Sequence, residues 1–208
     1  MDRKAKTYLS LGMFFVVFGL SLISSFSKST GFKIVFCNIG QGDGILIVTE
    51  SGKQAVIDGG PGSQMTDCLS SQMPFWDRTI EVMFPTHFQK DHIEAQLDIF
   101  SKFKVENVIT TNVLGSSSLA REWNESLEAE ASSVHVARAG EKIVVDELVF
   151  EVLWPTSMVI DEWKELVPAD LNETSIVLRL VWQSKSGEKC AYFTGDIPFE
   201  ILETVIDK

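Results

Sequence analysis

The sequence predicts an α+β fold in which helices cover β-sheets. Short apolar runs of strand-like length outnumber the stretches with helical spacing. Glycine-containing turns join the first three of these runs, a pattern typical of an antiparallel meander. Helical stretches separate groups of strands and do not alternate strictly with them, so a purely parallel βαβ sheet is not expected.

The predicted meander opens the domain, with strands at 33–38, 45–48 and 55–57. Glycines in the turn Gly40–Gly44 supply the backbone freedom that a tight connection requires. Asp43 and Asp58 each stand next to glycine at the end of a strand. Taken alone, each is more simply interpreted as a turn-forming residue than as an active carboxylate.

The later elements mix strands and helices. In chain order we predict a weak helix at 63–76, a strand at 80–84, a helix at 91–102, a strand at 105–109, a polar helix at 116–131, strands at 134–137, 143–145 and 148–154, an irregular acidic loop at 156–173, strands at 174–183 and 190–194, and a helix at 199–206. The strand, helix and strand between residues 80 and 109 form one strand–helix–strand unit.

An uncharged apolar segment of 21 residues occupies positions 7–27. As a helix it would span about 31 Å, enough to cross the core of a bilayer. Three basic residues precede it, so the positive-inside bias predicts a cytoplasmic N-terminus. We therefore expect residues 1–30 to form a cytoplasmic tip, a single-pass transmembrane helix in the cell membrane and a linker, and residues 31–208 to form one extracytoplasmic domain. A cleaved signal peptide, which would leave the domain secreted, is the alternative.

The formal net charge is −11, and because residues 1–30 carry +3 the remainder carries −14. Such a domain does not attract nucleic acid or anionic lipid by its overall field, so a polyanionic substrate would need bound cations. The three cysteines show no Cys-x-x-Cys spacing and allow at most one disulfide. Cys37 and Cys190 fall in strand-like runs, where we expect small buried apolar residues.

The segment Pro85–His92 lies between a predicted buried strand and a predicted helix. His87, Asp91 and His92 place two imidazoles and a carboxylate within six residues, and these are ligand types for Zn²⁺ or Mn²⁺. Unpaired backbone N–H groups at the start of the helix favour the carboxylate of Asp91. The alternative is that Asp91 only caps the helix and that both histidines are surface residues.

This segment contains one of four separated motifs that follow one another along the chain: Asn38–Asp43, Ile57–Gly60, Thr86–His92, and Asn172–Leu178 together with Tyr192–Asp196. With Gly140–Lys142 between them, they resemble the metallo-β-lactamase superfamily, and most closely the hydrolase domain of ComEC-type DNA-uptake proteins. The resemblance covers residues 32–208 apart from the loops. It implies an αββα sandwich with metal ions held by loops at one edge of the sheets.

The resemblance also implies roles for individual residues. His87 would bind a first ion, Asp91 and His92 would bind a second, and Asp196 would bridge both. Asp91 and Asp58 are the carboxylates expected to take part in catalysis, with Asp58 orienting His87 or His92 from behind.

The sequence departs from the family pattern in its ligands and at its end. Gln89 stands where the family has its middle histidine and would be a weak ligand at best. The sequence ends at Lys208, before a His-His-Gly-Ser segment of the family, so the C-terminal part of the fold is expected to be missing. One divalent ion is therefore favoured over two. His135 lies where the family has no ligand, and a structural or surface role is expected.

Two functions follow from these expectations. The first is a membrane-anchored metal-dependent hydrolase of the phosphodiesterase or nuclease type, weak or inactive as this chain, acting on a phosphoester or nucleic acid. The second is a non-catalytic binding or assembly module, or an incomplete gene product. In either case an uncovered sheet edge and apolar face near Val181–Phe193 would invite a protein partner.

Overall fold

The computed structural model describes residues 31–206 and Met13. Apart from Met13, the predicted anchor at 7–27 lies outside the described residues, and its membrane-spanning role stays a prediction. Among the residues described, no helix is both long enough and apolar enough to cross a bilayer. The chain from Gly31 onward forms one compact unit.

Residues 31–206 contain ten strands and five α-helices. The strands are β1 (Lys33–Phe36), β2 (Gly44–Val48), β3 (Gln54–Asp58), β4 (Thr79–Phe84), β5 (Lys104–Thr110), β6 (Ser133–Val136), β7 (Lys142–Val145), β8 (Leu148–Trp154), β9 (Val177–Ser184) and β10 (Gly187–Phe193). The helices are α1 (Gln64–Gln72), α2 (Lys90–Lys102), α3 (Ser118–Glu130), α4 (Ser157–Glu165) and α5 (Phe199–Ile206). A short 3₁₀ helix occupies Leu171–Thr174.

The first sheet has six strands in the order β1-β2-β3-β4-β5-β6. The first three strands pair antiparallel, which confirms the predicted meander. From β3 to β6 the strands are parallel, and α2 forms the crossover between β4 and β5. The carboxyl ends of β3, β4 and β5 therefore meet at one edge, where loops in α/β sheets commonly build sites.

The second sheet has four antiparallel strands in the order β10-β9-β8-β7. Strand β10 is one of its two edge strands, and on its outer side no further strand pairs with it among residues 31–206. The outer face of the sheet at this end carries charge, since Arg179 forms salt bridges with Glu151 and Glu188. On the inner face, the Trp182 ring packs against Phe32 with 4.8 Å between ring centroids.

Alternating side chains on the strands produce three apolar layers. One face of the first sheet packs on α1, α2 and α3, with the Trp123 side chain of α3 fully buried there. The opposite face packs on the second sheet, where Phe84 and Phe150 lie 5.0 Å apart between ring centroids. The outer face of the second sheet packs on α5 through Val177 and Val205. This order of layers is the αββα sandwich that was predicted.

A disulfide joins Cys37, just after β1, to Cys68 in α1. The expectation that Cys37 and Cys190 are small buried apolar residues is therefore wrong, because Cys37 is oxidised and Cys190 is exposed. Strand-like surroundings indicated burial for both residues but could not identify a partner in a distant helix. The disulfide fastens α1 to the meander next to the turn Gly40–Gly44.

Replacing Cys37 with Ser is expected to lower the free energy of unfolding by about 2–4 kcal/mol, because the disulfide closes a loop with a sequence separation of 31 residues. Urea denaturation of the purified oxidised protein would measure the change. Cys190→Ser, at an exposed thiol, is the matched control and should change stability by less than about 0.5 kcal/mol. Equal stability of the two variants would contradict the structural role of the disulfide.

The segment 156–173 was predicted to be an irregular loop, and that prediction is wrong. It contains α4 and the 3₁₀ helix. The Thr156 side chain caps α4 by accepting a hydrogen bond from the Val159 backbone N–H. Ile160 and Trp163 face the protein interior from the helix, and their burial stabilises it against the polar composition of the segment.

Candidate metal centre

The segment between β4 and α2 carries two histidines at the edge where the parallel strands end. Strand β4 ends at Phe84, and α2 begins at Lys90. The strand-to-helix turn predicted at 85–92 is thus confirmed. His87 and His92 are both fully buried, and their ring centroids are 4.1 Å apart.

Each of these imidazoles has one nitrogen without a partner. The Nε2 atoms of His87 and His92 are buried and make no hydrogen bond to any residue in the described part of the chain. Leaving a buried polar nitrogen unsatisfied costs about 1–3 kcal/mol. Two such atoms in adjacent rings are the expected signature of a ligand that both would bind.

Asp196 approaches the same point from the second sheet, just after β10. One of its carboxylate oxygens, Oδ2, lies 3.5 Å from His92 Nε2. Gly195 permits this approach because its φ is +50° and a Cβ there would lie 2.9 Å from the Thr86 hydroxyl oxygen. The Asp196 side chain is 45% exposed, so the centre opens to solvent on this side.

Asp58, at the end of β3, holds His92 from behind. The Asp58 carboxylate is fully buried and accepts hydrogen bonds from His92 Nδ1 at 2.8 Å, from the Thr86 backbone N–H at 2.7 Å and from the Thr86 hydroxyl at 2.7 Å. An ionised carboxylate only accepts, so Nδ1 of His92 carries the hydrogen and Nε2 faces the centre. The structure therefore brings Asp58 into contact with His92, one of the two histidines it was expected to orient.

The same network determines the tautomer of His87. The Thr86 hydroxyl gives its proton to Asp58 and must accept from its other neighbour, His87 Nδ1, at 3.1 Å. The Ser175 hydroxyl lies 3.3 Å from the same nitrogen. His87 Nδ1 thus carries the hydrogen, and Nε2 is the unprotonated nitrogen that can donate its lone pair.

The two imidazoles have opposite pKa shifts. Burial, together with the positive charge of His92, lowers the pKa of His87 to about 4, so this ring is neutral at pH 7. Burial also acts to lower the pKa of His92, but the hydrogen bond and negative charge of Asp58 outweigh it and raise that pKa to about 9. Burial raises the pKa of Asp58 itself, and its hydrogen bonds from His92 and Thr86 oppose the shift.

These donors fit one divalent cation. His87, His92 and Asp196 each offer one ligand atom, and the three atoms lie within 4.8 Å of one another. Two imidazoles and one carboxylate with an open side match the three-ligand sets of catalytic zinc sites. A second group, Asp43, Asp58 and His92, also meets this spacing, but hydrogen bonds already occupy the Asp58 carboxylate and His92 Nδ1.

Asp91 and Gln89 were both expected among the ligands, and the structure shows a hydrogen-bond partner for each. The charge of Asp91 also acts on His87. Asp91 lies in the first turn of α2, where its carboxylate accepts a hydrogen bond from Gln41 Nε2 at 3.3 Å. It belongs to neither donor group formed by the described residues. Gln89 donates through Nε2 to Asn172 Oδ1 at 2.6 Å, so its amide holds the 3₁₀ segment.

Asp43 is the donor that sequence reasoning missed, because its position beside glycine was interpreted as a turn. It lies in the second donor group, and its charge adds to those that raise the pKa of His92. Gly42 brings this turn close to α2, since a Cβ at Gly42 would lie 1.8 Å from the Asp91 carbonyl oxygen. His135 is exposed and pairs with Glu141 at 2.9 Å between Nε2 and Oε2.

Comparison with solved structures identifies the fold. The chain matches a subclass B3 metallo-β-lactamase from a soil metagenome library with a TM-score of 0.51 and 11% sequence identity, over 78% of this chain and 58% of that one. A metallo-β-lactamase with a HARLDQ motif from Cronobacter sakazakii matches with a TM-score of 0.51 and 12% sequence identity, over 84% of this chain and 62% of that one. A B3 metallo-β-lactamase with an active-site glutamic acid matches with a TM-score of 0.50 and 14% sequence identity, over 83% of this chain and 66% of that one.

The chain thus has the metallo-β-lactamase fold and spans about three fifths of the length of these structures. No protein-family model and no curated protein matches it. At such low identity the likeness describes the fold alone. The chemistry of the site has to be argued from the residues of this chain.

Proposed function

We propose that this chain is a metal-dependent hydrolase of the phosphodiesterase type that works with a single Zn²⁺ or Mn²⁺ ion. The observation that carries the proposal is the convergence of two buried Nε2 atoms, from His87 and His92, on the Asp196 carboxylate. Both nitrogens lack any other partner among the described residues, and the hydrogen bonds behind them fix their orientation. A surface cluster of acidic groups would have neither property.

The cation would supply Lewis-acid chemistry, by polarising a phosphoryl oxygen and lowering the pKa of a bound water. The chain's own residues position the groups that would bind the cation. Asp58 and Thr86 fix the orientation of the two imidazoles, so that Nε2 of each faces the centre. His92, whose pKa is about 9, would release its Nε2 proton when a cation binds. Asp196, which is partly exposed, borders the side from which a substrate would enter.

The net charge of the domain argues for a small phosphoester over a long nucleic acid. With −14 beyond residue 30, the domain repels polyanions at long range. Nuclease activity of the ComEC type therefore remains a proposal that rests on the sequence motifs alone. The neighbours in the structural comparison are metallo-β-lactamases, so a β-lactam is the other substrate class to test.

A non-catalytic metal-binding module is the second candidate, and one observation favours it. Gln89 is hydrogen-bonded to Asn172, and the second donor group shares His92 with the first and has its Asp58 carboxylate occupied by hydrogen bonds, so the described residues offer one three-donor site and no independent second one. A second ion that would stabilise the leaving oxygen has no evident place. Metal binding without turnover is the outcome that would distinguish this candidate.

The test combines metal content with turnover of the purified full chain. We expect about one equivalent of Zn²⁺ or Mn²⁺ after loading and dialysis, and metal-dependent hydrolysis of bis-p-nitrophenyl phosphate that chelation abolishes. Stoichiometric metal without hydrolysis of this ester or of a chromogenic cephalosporin would support the non-catalytic module. Absence of bound metal would contradict both candidates.

We further propose that the domain works outside the cytoplasm. The Cys37–Cys68 disulfide supports this, because disulfides persist in oxidising compartments and are rare in the cytosol. A single-pass anchor at 7–27 in the cell membrane and a protein partner along the outer edge of β10 remain part of the proposal. Membrane fractionation of the full chain against a variant lacking residues 1–30 would test the anchor.

A further inference from the structure

A cavity of about 680 Å³ lies at the edge of the first sheet where β5 and β6 end, and we call it the α4 cavity. Its walls are the 111–116 loop after β5, the end of β6 and the inner side of α4, and the segment 167–171 closes it. Its volume is in the range of small-molecule binding sites, which is about 300–1,000 Å³. Helix α4, in the segment that was predicted to be a loop, forms one of its walls.

The segment 170–172 connects the cavity to the metal centre. Leu171 lines the cavity, and the next residue, Asn172, accepts the hydrogen bond from Gln89 in the His87–His92 segment. Asp170, one residue before, is among the charges that act on His87. A molecule bound in the cavity would therefore lie beside the metal-binding residues, at the same edge of the first sheet.

The lining is apolar with two cations, Lys164, which is paired with Asp161, and Arg138. Val113, Ile160 and Trp163 form a buried apolar cluster along it. Arg138 also lines the cavity, and its guanidinium donates through Nη1 to the Val136 carbonyl at 3.2 Å. Within residues 31–206 it forms no salt bridge. The nearby carboxylate of Asp161 is paired with Lys164, with 2.6 Å between Oδ1 and Nζ. Lys164 lowers the pKa of this carboxyl group most, and the charge of Arg138 adds to the effect.

The wall also contains an unsatisfied hydroxyl. Thr111 is 3% exposed, and its Oγ1 makes no hydrogen bond to any described residue. Buried hydroxyls in proteins are normally paired with protein, water or ligand. Apolar surface, a guanidinium without an ion pair and an unpaired hydroxyl in one cavity are the features that bind an amphipathic anion.

We propose that the α4 cavity binds a small organic anion with an apolar body, whose charged group pairs with Arg138 and whose body packs on Trp163. In a strongly acidic domain, a cation lining an apolar cavity selects for an anion of small size and against a polyanion that would meet the surrounding negative charge. The inference does not depend on the proposed hydrolase activity, because none of these contacts involves the metal ion.

The probe is 1-anilinonaphthalene-8-sulfonate, an aromatic anion whose fluorescence rises in apolar sites, titrated into the metal-free full chain. We expect saturable binding to the wild type, and binding weakened about tenfold in Arg138→Gln, which removes a charge-assisted hydrogen bond. Arg121→Gln, at an exposed arginine on α3 outside the cavity, is the matched control and should bind as the wild type does.

A second variant fills the space without touching the core. Ala169 is exposed and lines the cavity, so Ala169→Trp should block the probe while the unfolding transition of the protein stays unchanged. The uncharged analogue N-phenyl-1-naphthylamine should bind the wild type about tenfold more weakly than the anion does. Undiminished binding in both variants, binding that requires added Zn²⁺, or no saturable binding to the wild type would each overturn the inference.

Discussion

Replacing Asp196 with Asn is expected to lower the affinity of the protein for Zn²⁺ at least about 100-fold, since changes even behind the metal ligands cost 10–100-fold. The carboxylate is the only negatively charged group among the three converging donors, His87, His92 and Asp196. Asparagine keeps the shape of the side chain but replaces the charged oxygen that faces the imidazoles. Because the side chain is 45% exposed, the fold should tolerate the change. Calorimetric titration of the metal-free protein would measure the affinity.

Asp91→Asn is the informative comparison, because the sequence predicted Asp91 as a ligand and a catalytic carboxylate. The structure pairs its carboxylate with Gln41, and a single-ion site predicts a change in zinc affinity of less than about tenfold for this variant. Glu200→Gln, at an exposed position in the first turn of α5, should leave the affinity unchanged. Equal losses in Asp91→Asn and Asp196→Asn would contradict the single-ion site and would restore the two-ion arrangement.

Replacing Asp58 with Ala is expected to lower the free energy of unfolding of the metal-free protein by about 3–5 kcal/mol. The carboxylate is fully buried and accepts three hydrogen bonds, one from His92 and two from Thr86. Its removal leaves those donors buried without a partner and His92 without its counter-charge, and each unsatisfied donor costs free energy. Urea denaturation in the presence of a chelator would measure the loss.

Two controls separate this effect from the loss of an ordinary surface charge. Asp98→Ala removes an exposed carboxylate from α2, where it pairs with Lys102, and should cost less than about 0.5 kcal/mol. Asp58→Asn keeps the volume but cannot accept all three hydrogen bonds, so its cost should lie between that of the control and that of Asp58→Ala. An Asp58→Ala protein within about 1 kcal/mol of the wild type would contradict the network that we describe.

Much of the fold could be predicted because its signals are local. Glycine turns and apolar runs predicted the meander of β1 to β3, and the buried run before Pro85 predicted the strand that leads to His87. The helix after Asp91 followed from apolar spacing. These patterns depend on neighbours within a few residues, so a single sequence contains them in full.

The direction of side chains at the site was harder to predict. Asp91 lies in the first turn of α2 and Asp43 in the turn before β2, but whether either carboxylate points towards the centre depends on how that helix and that turn pack together. Gly42 determines that packing by allowing the turn to touch α2, and nothing in local spacing indicates such a contact. A resemblance between motifs assigned Asp91 as a ligand, whereas the observed contact is with Gln41.

The failure at 156–173 is of a different kind, because the signal was present. Thr156 is a favourable N-cap residue, and Ile160 and Trp163 have helical spacing. The acidic and polar residues of this segment obscured the pattern. Their exposure on the outer side of a short helix explains why composition indicated a loop.

The three converging donors come from both halves of the sandwich. His87 and His92 follow a strand of the first sheet, whereas Asp196 follows β10 of the second. A cation bound to all three would act as a cross-link between the sheets, in the way that the Cys37–Cys68 bond joins a helix to its strand. An ion that binds only the native state stabilises it by mass action. Removing that ion should therefore weaken the packing between the two sheets before either sheet unfolds.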